Sequence, residues 1–261
     1  MAKVKNMERM PHIQLDESIA TRFAILPGDP KRAERIADYF TDTDDYGMNR
    51  EYRSIAGSYK GTRILSISTG MGGPSTAIAV EELGKLGVEW IIRIGSSGAL
   101  KSDIAIGDLV IVTGAIRNDG TSKGYIDSEY PAIADIDLVE TLRRKARELK
   151  LRFFTGICRS HDTMYSDRNP ELYAKWSATP ALASDMETAT LLTVASLRGI
   201  HAASVLNTVS AFKSDVPSSV GRYAAASRDA MDGEKDEIML ALETLHEIDG
   251  GMNDEEQYLQ N

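Results

Sequence analysis

Apolar positions in this chain fall into two alternating registers. Short β-branched and aliphatic runs at residues 23–26, 90–94, 109–113, 153–158 and 203–208 have the length and density of buried strands. Between them the apolar positions recur at helical spacing. Ile36, Ala37 and Phe40 share one face of a helix expected over 31–40, which Pro30 is well placed to start. Further helices are expected near 75–86, 137–149, 187–198 and 219–247. Residues 53–59 and 63–68 read as a hairpin around Lys60-Gly61. Strand–helix alternation of this kind predicts an α/β fold, a single domain with a mixed, largely parallel central sheet flanked by helices. With no repeat and no Pro/Gly/Ser linker, residues 1–248 read as one domain. The glycine-rich acidic stretch 249–261 reads as a frayed tail.

In such sheets ligands collect beyond the carboxyl ends of the strands. That directs attention to five segments expected as strand-end loops: 28–32, 70–75, 93–98, 161–165 and 210–213. In Gly28-Asp29-Pro30-Lys31-Arg32, close backbone approach, free helix amides and a guanidinium fork suit an oxyanion; the same residues also make an ordinary helix start. The run Ser68-Thr69-Gly70-Met71-Gly72-Gly73-Pro74-Ser75-Thr76 lacks the Gly-Lys-Ser/Thr of a Walker A loop and the dinucleotide spacing. It either wraps amides around a ligand or makes a tight turn with Ser75 as N-cap. Arg93 stands among Trp90, Ile91, Ile92 and Ile94, where a charge is expensive to bury alone. Either an anion, with Ser96 and Ser97 donating beside it, or a buried ion pair would satisfy it. Asp185-Met186-Glu187-Thr188 opens a helix, where carboxylates complement the dipole or accept from sugar hydroxyls. Taken alone, His12 and Arg50 read as a structural histidine and a solvated charge.

Composition narrows the picture. Across 261 residues, 42% hydrophobic and 26% charged content is enough for a substantial core. A formal net charge of −9 disfavours nucleic acid and anionic membrane as partners, while local arginines can still hold a small anion at short range. The single cysteine, Cys158, excludes an internal disulfide and a cysteine-rich metal site. No His/Cys/carboxylate set has zinc-type spacing, and no Ser-His-Asp order with a nucleophile elbow is present. No apolar run approaches the roughly 18 residues of a membrane span, and the polar start is unlike a signal peptide, so a cytoplasmic location is expected.

Taken in order, these segments resemble the hexameric nucleoside phosphorylase family, which includes uridine phosphorylase and bacterial-type purine nucleoside phosphorylase. The resemblance is carried by Gly28-Asp29-Pro30-x-Arg32, by Gly70-Met71-Gly72-Gly73-Pro74-Ser75-Thr76-Ala77-Ile78 followed by Glu81-Glu82-Leu83, and by Arg93-Ile94-Gly95-Ser96 and Met186-Glu187; it spans about residues 11–247. It implies a pentosyltransferase that splits a nucleoside with inorganic phosphate as co-substrate, giving free base and (deoxy)ribose 1-phosphate without a cofactor. It implies a phosphate site of Gly28, Arg32, Arg93 and Ser96, completed by Arg50 of the partner subunit, with Arg93, Arg32 and Glu187 carrying the catalysis. It further implies a ribose site of Met186 and Glu187, with His12 reaching the 5′-hydroxyl across a dimer interface. Base contacts fall on Ser97, Gly98, Met164 and Arg168, and a monovalent cation such as potassium on Glu51 and Ser75 between subunits. The implied assembly is a homo-oligomer, a dimer sharing active sites or a hexamer of three such dimers.

The departing base is less sharply indicated. Residues 117–122 and 129–135 look like uridine phosphorylase, whereas 11–13 and 57–61 look like the purine enzymes. The Gln-x-Arg pair of uridine phosphorylases is replaced by Arg168-Asn169-Pro170. The purine enzymes' aspartate is replaced by Ala211 after Thr208-Val209-Ser210, and Met164 stands where an aromatic usually stacks. Losing the purine acid is the heavier loss, so uridine is expected ahead of a purine nucleoside. The competing readings are a catalytically impaired nucleoside or phosphate sensor and a hydrolase using water, the latter having no use for three converging arginines.

Overall fold

The computed structural model describes residues 9–214, 221 and 228–259, with side chains described through Met252. After a 3-10 turn at Glu17–Ile19 the elements run β1 (Phe23–Leu26), α1 (Pro30–Ala37), β2 (Thr41–Asn49), β3 (Tyr52–Tyr59), β4 (Thr62–Ile67), α2 (Gly73–Lys85), β5 (Trp90–Ala99) and β6 (Leu109–Asn118). They continue with α3 (Thr121–Tyr125), β7 (Ala132–Ile133), α4 (Ile136–Glu148), β8 (Phe153–His161), α5 (Asn169–Ser177), β9 (Ala183–Asp185), α6 (Thr188–Leu197), β10 (His201–Ser210) and α7 (Arg228–Leu259).

One mixed sheet organises the chain. β5 pairs with β9 on one side and with β10 on the other, so β10, β6, β8, β9 and β5 close into a circuit. From β5 the sheet extends outward through β1, β4, β3 and β2. The pairings β1–β4, β1–β5, β5–β10, β6–β8 and β8–β9 are parallel. Antiparallel pairings join β6 to β10, β5 to β9, β6 to β7 and the β2–β3–β4 meander. The parallel strands are buried on both faces, which is why Ile91, Ile92 and Ile94 form a continuous apolar run rather than an alternating one. The main core continues from these strands into Leu191, Leu192 and Val194 of α6 and Leu240, Leu242 and Leu245 of α7.

Local chemistry sets the helix starts. Asp29 caps α1 by accepting from the Lys31 amide at 3.0 Å, and Pro30 occupies the first turn. Asp135 does the same for α4. Helix α2 begins at Gly73 behind Gly72, whose φ of 94° lies in the left-handed region, so Ser75 is inside the first turn and is not the N-cap.

The strands outrun their expected ends. β5 continues through Ala99, so the segment 93–98 is strand rather than strand-end loop; Ser96, Ser97 and Gly98 keep their ladder partners Asn207, Thr208 and Ser210 on β10. β2 has no counterpart in the sequence pattern because it is a polar edge strand with most of its residues exposed. Helix α7 continues through Asp249, read from sequence as tail, and that carboxylate accepts from Thr62 Oγ1 at 2.8 Å. The expected helix start at residue 219 lies outside the described residues. No helix among the described residues is long and apolar enough to cross a membrane.

Candidate active site

The loops that follow β1 and β4 are stitched together by their backbones. The Thr69 amide donates to Pro27 O at 2.9 Å and the Gly70 amide to Gly28 O at 3.0 Å. A Cβ on Gly28 would stand 2.9 Å from Gly70 O, so any side chain there would force the loops apart. This seam brings the start of α1 beside the glycine-rich entry to α2.

Two buried arginines converge on the same stretch of β5. Arg32, in the first turn of α1, donates from Nη2 to Ser96 Oγ at 2.9 Å and from Nε to Glu234 Oε2 at 3.0 Å; its Nη1 lies 3.3 Å from Glu237 Oε1. Arg93, only 3% exposed, donates from Nε to Asp185 Oδ2 at 3.2 Å and from Nη2 to Glu187 Oε2 at 2.5 Å. Its Nη1 is buried with no hydrogen-bond partner among the described residues. The guanidinium folds over Gly95, where a Cβ would come within 2.5 Å of Nη2. Burial and the nearby Arg32 act against the Arg93 charge, but Glu187 and Asp185 outweigh them and hold its pKa above the ordinary value. Of the two outcomes left open for Arg93, an anion or an ion pair, the described residues supply the ion pairs and leave Nη1 unused.

The carboxylates differ in what they have left to give. Asp185 is saturated by Arg93, Ser160 Oγ at 2.6 Å, Thr188 Oγ1 at 2.6 Å and the Thr188 amide at 3.0 Å. Glu187, at the entry to α6, accepts from the Gly72 amide on Oε1 at 2.6 Å and from Arg93 on Oε2. A carboxylate has about four lone-pair positions, so Glu187 keeps acceptor capacity for hydroxyl donors. Burial pushes its pKa above the usual carboxylate range despite Arg93.

Glu234 and Glu237 of α7 were not singled out from the sequence. Glu237 Oε2 accepts from the Gly95 amide at 3.1 Å and the Asn207 amide at 3.2 Å, which ties β5 to β10 directly behind Arg32. Burial pushes its carboxyl up to about 8. The available signal was periodicity: Glu234 and Glu237 are three residues apart on the face that also carries buried Ala230, Ile238 and Ala241.

The remaining expected residues divide into two groups. Ser96, half-buried, and Gly98, between Ser184 and Ser210 in the ladder, belong to the same floor as Arg93. Ser97 donates its hydroxyl to Asn207 O at 3.3 Å. Met186 is half-buried between the two carboxylates in sequence. His12, by contrast, is held 2.6 Å from Glu82 Oε1 by its Nδ1; the Glu82 carboxylate also takes the His12 and Ile13 amides and so pins the N-terminal arm to α2. Arg50 is an exposed residue at the β2–β3 turn, with a φ of 53° and no ion pair among the described residues. Neither His12 nor Arg50 joins the arginine–carboxylate cluster within one chain. Glu51 packs its side chain against Gly70, and Ser75 Oγ lies 3.4 Å from Gly72 O. Met164 is half-buried, while Arg168 at the head of α5 is 71% exposed, with Nε 3.5 Å from Glu171.

Comparison with known proteins gives one consistent result. The family model of the phosphorylase superfamily matches residues 22–232. A uridine phosphorylase from Treponema pallidum is 42% identical over 205 residues, covering 75% of this chain and 80% of that protein. A guanosine phosphorylase from Halorubrum lacusprofundi is 40% identical over 199 residues, covering 76% and 82%. Among solved structures, a uridine phosphorylase from Vibrio fischeri aligns with a TM-score of 0.86 at 39% identity, over 93% of this chain and 99% of that one.

Proposed function

Because the chain belongs to the phosphorylase superfamily, we propose that it cleaves the N-glycosidic bond of a nucleoside with inorganic phosphate, releasing free base and (deoxy)ribose 1-phosphate. The observation that carries this reading is the buried Arg93, paired to Glu187 on one side and holding an unused donor on the other. One guanidinium thus joins an anion-binding position to a carboxylate able to accept from sugar hydroxyls.

In this reading a phosphate oxygen attacks the anomeric carbon as the bond to the base breaks. The electron pair of that bond leaves with the base. Arg32, Arg93, the Ser96 hydroxyl and the Gly28 backbone orient the phosphate, with Arg50 of the partner subunit closing the site. Holding nucleophile and sugar together in this way can supply roughly 7–11 kcal/mol of the barrier when the geometry is near attack. Glu187 and Met186 fix the ribose, and His12 of the partner subunit reaches the 5′-hydroxyl, so the active unit is at least a dimer and in full a hexamer. Glu51 and Ser75 offer hard oxygen donors suited to a monovalent cation.

The buried carboxylates Asp185, Glu187, Glu234 and Glu237 outnumber Arg32 and Arg93 around this floor. Burial pushes the Glu237 carboxyl up to about 8, which eases that excess, since a proton there lets an anion approach at lower electrostatic cost.

Uridine is the favoured substrate, with Met164, Ser97 and Gly98 around the base and Arg168 folding in from the head of α5. A purine nucleoside is the second reading, favoured by the 40% identity to a guanosine phosphorylase. Base release from uridine, thymidine, inosine, guanosine and adenosine, with and without phosphate, tests both. Phosphate-dependent release from uridine supports the first, and from inosine or guanosine alone the second. Equal release without phosphate refutes phosphorolysis.

A further inference from the structure

Arg159 is a buried cation that no anion among the described residues pairs with. It is 4% exposed, and its one hydrogen bond among the described residues runs from Nε to the neutral Asn118 Oδ1 at 2.9 Å. No carboxylate among the described residues pairs with it, in contrast to Arg32 and Arg93. Leaving a guanidinium largely desolvated with its two terminal nitrogens unpaired is costly unless something else accepts from them.

Its position suggests what that is. In the parallel β8–β9 ladder Arg159 is opposite Ser184, and in the antiparallel β9–β5 ladder Ser184 is opposite Gly98. Arg159, Ser184 and Gly98 therefore form one row across three strands, and the chain passes directly from Ser184 into Asp185, Met186 and Glu187. Ser184 Oγ is itself buried without a partner among the described residues. Gly98 adds no side chain and leaves the row open at that end. His161, two residues along β8 from Arg159, has its pKa lowered by burial and by Arg159, so it is a neutral imidazole near pH 7. Burial also lowers the Arg159 pKa to about 10, which leaves it charged at neutral pH. The row is rich in donors and runs from Arg159 to Gly98, a residue expected to contact the base.

We propose that Arg159 is a base-recognition residue of this site, and that its terminal nitrogens select nucleosides whose base carries a carbonyl oxygen at C4 of a pyrimidine or C6 of a purine, such as uracil, hypoxanthine or guanine, over cytosine and adenine, which carry an amino group there. The inference rests on the nucleoside reading above for the position of the sugar. A guanidinium only donates, and its fork matches two neighbouring acceptors, for example O6 and N7 of a 6-oxopurine. An exocyclic amino group at the same place would set donor against donor. The contact also strengthens during reaction, because the electron pair released with the base accumulates on its carbonyl oxygens. This assignment differs from that of Arg168, which is exposed at the head of α5 and faces Glu171.

The test uses wild type, Arg159→Met and Arg159→Lys at equal concentration. Wild type is expected to cleave uridine or guanosine at least roughly 10- to 100-fold better in kcat/KM than cytidine or adenosine, the discrimination of one good bidentate pair. Arg159→Met should lose that preference with the phosphate KM unchanged, and Arg159→Lys should fall between. Equilibrium dialysis of free uracil, guanine and adenine against each protein reads base selection without turnover. Retained carbonyl-base preference in a folded Arg159→Met protein, by both kinetics and dialysis, overturns the proposal; if that variant fails to fold, an Arg159→Lys protein indistinguishable from wild type does so. Base release that does not need phosphate would refute phosphorolysis while leaving the dialysis result to judge Arg159.

Discussion

Arg93 Nη2 and Glu187 Oε2 lie 2.5 Å apart with both side chains buried, so the cation proposed to meet phosphate and the acceptor proposed to hold the sugar are a single ion pair. Glu187→Gln keeps the shape and removes the charge. The nucleoside kcat/KM is expected to fall roughly 10- to 150-fold, the worth of a hydrogen bond to a charged group of about 1.5–3 kcal/mol. The sign with pH is also fixed. Burial raises the Glu187 pKa, so the acceptor form is present above that raised value and is lost as pH falls through it. Wild type should show an acid limb displaced upward from the ordinary carboxylate range, and Glu187→Gln should lack it. An identical limb in the variant would assign that titration to another group.

Gly95 sets the position of Arg93. Since a Cβ there would stand 2.5 Å from Nη2 and 2.7 Å from Cζ, Gly95→Ala must displace the guanidinium, the movable end of a long side chain. The fold should accommodate this, while the phosphate KM rises by an order of magnitude or more, in keeping with the cost of misplacing an orienting group. Steady-state kinetics in phosphate, alongside a thermal melt, checks it. An unchanged phosphate KM would mean that Arg93 does not meet the anion.

Glu237 links α7 to β5, β10 and Arg32. Its folded pKa is raised to about 8 from 4.5, so the folded state binds the extra proton. The protonated carboxyl contributes stability that is fully present below about 4.5 and is lost as pH rises through about 8. Glu237→Gln mimics the neutral form and does not titrate. Its stability relative to wild type should therefore improve between pH 5 and pH 8.5, as read from urea midpoints. A flat difference across that range would contradict the assignment.

The N-terminal arm is held by one carboxylate. Glu82→Ala deprives the His12 and Ile13 amides and the His12 ring of their acceptor, a loss of about 1–3 kcal/mol for buried groups left unpaired. If His12 serves the partner subunit's sugar site, this variant should discriminate less between uridine and 5′-deoxyuridine, with the phosphate KM little changed. Full retention of that discrimination would remove His12 from the ribose site.

Much of this arrangement was legible in the sequence, and the failures have physical causes. Arg93 stood out because a charge inside an isoleucine-rich strand demands a partner, and the partners proved to be Asp185 and Glu187. The start of α1 was readable because Asp29 and Pro30 act within a few residues of where they stand. The far half of β5 was hidden because Gly95, Ser96, Ser97 and Gly98 have no strand-like composition; ladder bonds to β10, distant in sequence, make them strand. β2 was invisible for the opposite reason, having no buried face to impose a pattern. Arg159 and Glu237 resemble surface charges in one dimension. Only the closed circuit of strands and the packing of α7 bury them.

The most direct test of the central claim is phosphorus NMR of the reaction of wild-type protein with uridine and inorganic phosphate. The predicted result is consumption of phosphate and appearance of ribose 1-phosphate in one-to-one proportion with free uracil. Release of uracil with the phosphate signal unchanged would mean that water is the nucleophile, and would leave the convergence of Arg32 and Arg93 without the role given to it here.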